Sequence, residues 1–274
     1  MPYLDIGDAH THYTDEGAGS ETIVFSHGLL FSGRMFADQV EHLKDDFRCI
    51  TFDHRGQGKS KVTKEGYDID TLTEDAARLI EELDAAPCHF VGLSMGGFVG
   101  MRLAFRRPEL LRSLTLIETS ADPEPEENKP RYRLLNFIAR WFGVGIVVGK
   151  VMPVMFGSSF LSDQARADER DRWRKAIAAN DRIGITRAVN GVINRKGVSE
   201  EIRQINRPVL IIVGDQDAAT VPEKSERMHA AIQGSKLVTI PNAGHSSTIE
   251  EPHAVNEAVS AFLNALQGQH DIQS

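Results

Sequence analysis

The chain has 274 residues, 41% hydrophobic and 26% charged, a balance that suits a globular protein with one large core and room for an insertion. Its formal net charge of −8 and pI near 5.7 argue against nucleic acid or an anionic membrane as partner. The start, MPYLDIGDAH, lacks a charged segment followed by an apolar run, and the apolar stretch GVGIVVGKVMPVMFG is interrupted by Lys150 and Pro153. A secretory leader and a membrane span are therefore not expected, and the expected location is cytoplasmic.

In chain order, AHTHYTDEGAGSETIVFSHG reads as two strands around a Gly-rich turn, and MFADQVEHL has helical spacing. RCITFD is a strand, and TLTEDAARLIEELDA is an amphipathic helix opened by a Thr cap with Glu74 close behind. CHFVGLS (strand), MGGFVGMRLAFRRPE (helix) and LRSLTLIETS (strand) follow. Cys49 and Cys88 fall in strand-like runs and read as small buried hydrophobes. Strands that are mostly apolar and alternate with helices predict an α/β fold with a parallel sheet covered on both faces.

The alternation then stops. ADPEPEENKP carries three prolines and several acids, so no regular element should persist through it. From there to about Ile205 the pattern is helical only, in RYRLLNFIARWFG, IVVGKVMPVMFG, SDQARADERDRWRKAIAAN and IGITRAVNGVINRKG. Strand and helix resume with RPVLIIVGDQD, PEKSERMHAAI, SKLVTIPNAGH and PHAVNEAVSAFLNAL. This predicts a core built from residues 1–121 and 206–274, with residues 122–205 inserted as a helical cap over the carboxyl ends of the strands.

Gly92-Leu93-Ser94-Met95-Gly96 stands where the strand CHFVGLS passes into a helix. A serine exposed on such a corner takes a strained backbone, and its neighbours must be small; Gly92, Gly96 and Gly97 meet that need. Its hydroxyl is a weak nucleophile and needs a base within hydrogen-bond reach. Of ten histidines, His245 in TIPNAGHSS stands just past a strand end late in the chain. His54 precedes the serine, His89 starts a buried strand, and His229 and His253 lie in helical stretches. The acid that orients the imidazole should end the preceding strand, in VLIIVGDQDAATVP, where Asp215 and Asp217 both qualify by position. A tetrahedral oxyanion needs backbone donors, expected from Met95 at its helix N-terminus and from Leu29 in IVFSHGLLFSG. His27 in that loop is expected to hold the loop by hydrogen bonding.

Five motifs, HGLL, DHRGQGKS, GLSMGG, GDQDAATVP and AGHSSTIEEP, follow in this order over nearly the whole chain outside the helical stretch. Together they resemble the α/β-hydrolase fold superfamily. The resemblance implies a mostly parallel, doubly wound sheet with an inserted helical cap, and a Ser-His-Asp triad of Ser94, His245 and Asp217. Asp217 matches the second acid of the Gly-x-x-Asp pattern, which leaves Asp215 as the minor candidate. Asp53, Arg55, Gly56 and Ser60 match positions that are usually structural. GLSMGG with MFADQV and GDQDAATVP most resembles the branch of small carboxylesterases, 3-oxoadipate enol-lactonases and cofactor-free perhydrolases.

Departures narrow this. Serine at 94 in place of aspartate argues against an alkyl-enzyme route, and HGLLFSG lacks the Gly-Pro-Gly of carbon–carbon hydrolases and the His-Gly-Gly-Pro-Gly of proline iminopeptidases. SHGLL stands where enol-lactonases commonly read His-Ser-Leu-Gly. Hydrolysis of a carboxylic ester through an acyl-enzyme is the expectation, with an enol-lactonase or perhydrolase as the alternative. A ligand-binding receptor with a vestigial site is the reading from outside enzymology. The partner is a small-molecule ester or lactone; no cofactor is needed and a homo-oligomer is not indicated. HTHYTD places His10 and His12 on one strand face, but no second cluster completes a metal site, so none is expected. In the cap, Phe137, Trp141, Met152 and Met155 are expected to bind substrate, the methionines being set over the mouth by a break at Pro153.

Overall fold

Described for residues 2–271 in a computed structural model, the apolar runs form eight strands of one sheet. They are β1 (Tyr3–Ile6), β2 (Ala9–Glu16), β3 (Thr22–Ser26), β4 (Arg48–Phe52), β5 (Cys88–Leu93), β6 (Leu111–Ile117), β7 (Val209–Gly214) and β8 (Lys236–Ile240). The order across the sheet is β1-β2-β4-β3-β5-β6-β7-β8. The β1–β2 and β2–β4 pairs are antiparallel and the rest are parallel. Parallel neighbours need crossovers, supplied between β3 and β6 by α1 (Ala37–Leu43), α2 (Ile69–Glu82) and α3 (Met95–Arg106). Successive residues of β3 serve opposite faces: Ile23 and Phe25 join Val40 and Leu43 of α1, while Val24 joins Leu72 and Ile80 of α2 and Leu103 of α3.

The structure departs from the sequence expectations at several ends. YLDI forms β1, which is too short for a period to show. AHTHYTDE and TIVFS are both strands, but β4 lies between them, so the Gly-rich turn does not join sheet neighbours. The helix expected to open at a Thr cap opens at Ile69, because Asp68 accepts the Thr71 amide at 2.9 Å and acts as the cap. The helix after Ser94 ends at Arg106, since the residue before Pro108 is pushed out of the helical region.

Between β6 and β7 lie α4 (Lys129–Phe142), α5 (Val144–Met155), α6 (Ser158–Ser162), α7 (Ala167–Ala178) and α8 (Arg182–Ile193). Pro153 does not break α5. It sits in the last turn, where its missing N–H removes a single ladder bond and the helix runs on to Met155. The chain closes with α9 (Pro222–Ala231), α10 (Ser247–Glu250) and α11 (Pro252–Asp271). Among the described residues no helix is long and apolar enough to cross a membrane.

The stretch from α5 to α7 is fastened to the loops that end β7 and β8, the first through Gln216 Oε1, which accepts the Ser159 amide. Ser246 donates its hydroxyl to the Met155 carbonyl at 2.7 Å, and Arg166 donates to the Ile249 and Glu250 carbonyls. The tightest fastening is Glu250, which is almost fully buried. Its carboxylate accepts the amides of Gly157 (2.8 Å), Gly244 (3.0 Å) and Ser246 (3.0 Å), so one side chain ties the α5–α6 turn to the segment holding His245. Removing it by Glu250→Ala orphans three buried donors, and the expected loss of unfolding free energy is on the order of 3 kcal/mol. A urea titration reads this as a lower midpoint; an unchanged midpoint means that water replaces the carboxylate.

Candidate active site

Ser94 joins β5 to α3 with φ 51 and ψ −107, a conformation that costs a non-glycine residue roughly 1–3 kcal/mol and survives only where its surroundings impose it. The imposition is steric. A Cβ at Gly96 would stand 1.9 Å from the Ser26 carbonyl oxygen, and one at Gly92 would stand 2.3 Å from that of Gly96. Without side chains at both positions, the first turn of α3 closes directly onto the ends of β3 and β5. The Ser94 amide donates to the Ile117 carbonyl at 2.8 Å, and Thr119 Oγ1 donates to the Ser94 carbonyl at 2.8 Å. The corner is thus held from the neighbouring strand.

Its hydroxyl meets the histidine singled out in the sequence. Ser94 Oγ lies 2.8 Å from His245 Nε2, and His245 Nδ1 lies 2.9 Å from Asp217 Oδ2 and 3.1 Å from Oδ1. With Nδ1–H donated to the carboxylate, Nε2 carries the free lone pair facing the serine. Asp217 also accepts the amides of Ala219 and Thr220 and, at 2.6 Å, the Thr220 hydroxyl. Burial works to raise its pKa, but the charge of His245 and the hydrogen bonds around it prevail and hold Asp217 well below the usual carboxylate range. Asp215, the other candidate, is exposed.

Sequence reasoning missed Glu118. It follows β6, is fully buried, has φ 45, and accepts the Gly214 amide at 2.9 Å. It is also hydrogen-bonded to Asp217. Two carboxylates in contact in a dry site cannot both be ionised. Burial first, then the charge on Asp217, lifts Glu118 well above the ordinary glutamate range, so Glu118 keeps the proton and donates it to Asp217. The one available signal was an acid set directly behind the apolar strand LTLI.

On the other side of Ser94 stands the loop after β3. Leu29 lines the same cavity as Ser94 and His245, and Met95 begins α3. Gln57 Oε1 accepts the Leu30 amide at 2.9 Å, which sets the path of this loop. His27 Nδ1 donates to the Gly28 carbonyl at 2.7 Å, and its Nε2 accepts the His54 amide at 2.9 Å, so it is neutral and acts as a brace. Burial lowers its pKa, in keeping with that state. Asp53 accepts the amides of Gly33 and Lys59, Ser60 donates to the Asp53 carbonyl, and Arg55 pairs with Asp75 and Asp8. Gly56, at φ 65, packs against Gly184 of α8.

The cavity over Ser94 is walled chiefly by apolar side chains of α4, α5 and α8, such as Leu135, Val147, Val151 and Ile185. Polar groups at its margin include Arg131, Lys150, Glu124 and Arg195. Of the four cap residues expected to bind substrate, Met155 lines this cavity. Met152 is buried in the core instead, because α5 continues through Pro153 and turns it away. Phe137 and Trp141 point outward, since the inner face of α4 is taken by Tyr132, Leu135, Asn136 and Ala139, three and four residues apart. The HTHYTD cluster disperses: His10 pairs with Asp5, His12 with Asp53, and Asp15 with Arg48. Cys49 and Cys88 are free and buried, and burial pushes both thiols up to about 12.

The profile of the alpha/beta hydrolase fold family matches residues 21–252. A protein named as a carbamate hydrolase, RutD, from Pseudomonas syringae is 28% identical over 93% of this chain and 98% of its own. Among solved structures, a thermophilic esterase from Thermogutta terrifontis superposes with a TM-score of 0.88 at 28% identity, covering 94% of both chains. An enol-lactonase from Burkholderia xenovorans superposes with a TM-score of 0.89 at 28% identity, covering 96% of this chain and all of its own.

The proton on Glu118 makes stability depend on pH. It stabilises the fold fully below the ordinary glutamate value of about 4.3, and that contribution fades as pH climbs toward the raised value. Glu118→Gln keeps the shape without titrating. Its melting temperature should therefore rise relative to the parent between about pH 5 and pH 8. A difference that is the same at both pH values would mean that Glu118 is ionised in the fold.

Proposed function

This chain belongs to the α/β-hydrolase fold family, and we propose that it hydrolyses carboxylic esters through an acyl-enzyme on Ser94. The observation that carries the reading is the 2.8 Å approach of Ser94 Oγ to a histidine whose other nitrogen is held by a buried aspartate, at the floor of an apolar cavity. The activities for which its relatives are named, those of an esterase, an enol-lactonase and a carbamate hydrolase, all involve attack on an acyl carbon, and they support the same chemistry.

In this mechanism Ser94 Oγ attacks the ester carbonyl while His245 Nε2 takes its proton. Asp217 holds the imidazolium in register and balances its charge. The oxyanion is bound by the amides of Leu29 and Met95, the latter aided by the positive end of α3. Collapse expels the alcohol, which leaves with the proton from His245. Water then enters, gives its proton to His245, and releases the acid as Ser94 regains its hydrogen. Glu118 and Thr220 act through Asp217, fixing its position and keeping it ionised.

A second reading has a specific observation in its favour. Arg131 and Lys150 border the cavity and form no ion pair among the described residues. An acyl group bearing a carboxylate, as in an enol-lactone, would find its counter-charge there. The preponderance of aliphatic wall favours the neutral ester.

A serine-directed fluorophosphonate should add one mass increment to the peptide carrying Ser94 and abolish turnover; a label on another serine sinks the assignment. Asp217→Asn should lower kcat by roughly 10²–10⁴-fold and Asp215→Asn should leave it near the parent value. Because Asp217 stays ionised far below neutrality, kcat/KM should fall on acidification along a line of unit slope, one proton on one base. If no activated ester is turned over and no serine is labelled, the chain is a ligand-binding protein on this fold.

Matched esters with and without a terminal carboxylate separate the two substrate readings. The neutral ester should show the higher kcat/KM, and Arg131→Ala should leave that ranking intact. Preference for the anionic ester, lost in Arg131→Ala, would assign the site to the lactone.

A further inference from the structure

Helix α4 is apolar on two faces. Its inner face walls the cavity, yet its outer face carries Leu134, Phe137 and Trp141, exposed by 60%, 58% and 63%. Spaced three and four apart, these residues form one stripe. At the corner into α5 the stripe continues through Phe142 and Ile146, each 66% exposed. Only Tyr3 and Val221 are exposed large hydrophobics elsewhere among the described residues. A helix in an ordinary surface position would present polar residues there.

Charge on this segment is equally one-sided. From residue 129 to residue 162 the sequence contains Lys129, Arg131, Arg133, Arg140 and Lys150 and no acid, in a chain whose net charge is −8. Lys129 pairs with Glu126; the other four form no ion pair among the described residues. Arg133 and Arg140 flank Phe137 at four and three residues, so cations edge the aromatic stripe.

Aromatic side chains at headgroup depth beside unpaired arginines are the composition of a helix that lies in a membrane interface. We propose that the outer face of α4 and the α4–α5 corner dock this protein on an anionic phospholipid surface. A two-fold dimer through the same face would bring two copies of this net-cationic helix together. A bilayer presents acyl chains to the stripe and phosphate to its edge at once. Arg131 and Lys150, which line the cavity, belong to the same two helices.

Flotation of the full chain with vesicles tests this independently of any hydrolytic activity. Vesicles of phosphatidylcholine with a third phosphatidylglycerol should carry the protein, and pure phosphatidylcholine should carry far less. About 0.5 M salt should weaken the attachment. Since each basic residue near an anionic surface strengthens binding about five-fold, Arg133→Gln with Arg140→Gln should cost about 30-fold. Phe137→Ser with Trp141→Ser should abolish flotation. All these side chains are at the surface, so melting temperatures should stay within a few degrees of the parent, which excludes unfolding as the cause. Failure to float with the anionic vesicles overturns the proposal, as does flotation unchanged in both double variants. So does a dimer in solution that shields Trp141 from a fluorescence quencher.

Discussion

Everything at the site rests on how closely the first turn of α3 approaches the end of β3. With 1.9 Å between the Ser26 carbonyl oxygen and where a Cβ of Gly96 would stand, any side chain there would push α3 off the sheet. The close approach forces Ser94 into its left-handed conformation and lifts its hydroxyl clear of the strand. It also brings the start of α3, with its unpaired amides and positive end, beside the β3 loop that carries Leu29. The strain is local, and its compensation is distributed over Ile117, Thr119 and the two glycines.

The electrostatics behind the proposed triad follow from unequal treatment of two buried acids. Asp217 is surrounded by donors, from the Ala219 and Thr220 amides to the Thr220 hydroxyl and His245, and stays charged. Glu118 has the Gly214 amide and the Ser247 side chain as donors, but burial and the charge on Asp217 prevail, and it holds its proton. A neutral acid behind a charged one acts as a donor, so the pair orients the carboxylate toward the imidazole without adding a second charge. At Glu250 burial outweighs three amide donors and raises the pKa, while those donors tie the α5–α6 turn to the His245 loop.

Net charge is an average, and here the average hides two surfaces. The chain as a whole is acidic, which by itself argues against anionic partners. Yet the stretch from residue 129 to residue 162 carries five basic residues and no acid. Its outward aromatic stripe and its inward cavity wall belong to one helix, so what the protein meets and what it admits are set by opposite faces of the same fourteen residues of α4.

Much was legible in the sequence. Alternating apolar runs determined the parallel sheet, because a strand buried on both faces must be apolar throughout. Gly92 and Gly96 marked the corner around Ser94, since a Cβ at either would collide with backbone. The order of Ser94, Asp217 and His245 marked which loops would converge, because the strands of such a sheet end on one side. Only tertiary structure decided the rest. Helical spacing shows that α4 is amphipathic but not which face turns inward, and Phe137 and Trp141 went outward because Leu135 and Ala139 fit the cavity wall. Pro153 looked like a break and is carried within the last turn of α5, leaving Met152 in the core. Glu118 drew no attention, because its role depends on Asp217, which lies far along the chain and meets it only when β6 and β7 pair. Sequence reports each residue's own preference; contacts between distant segments exist only once the sheet has closed.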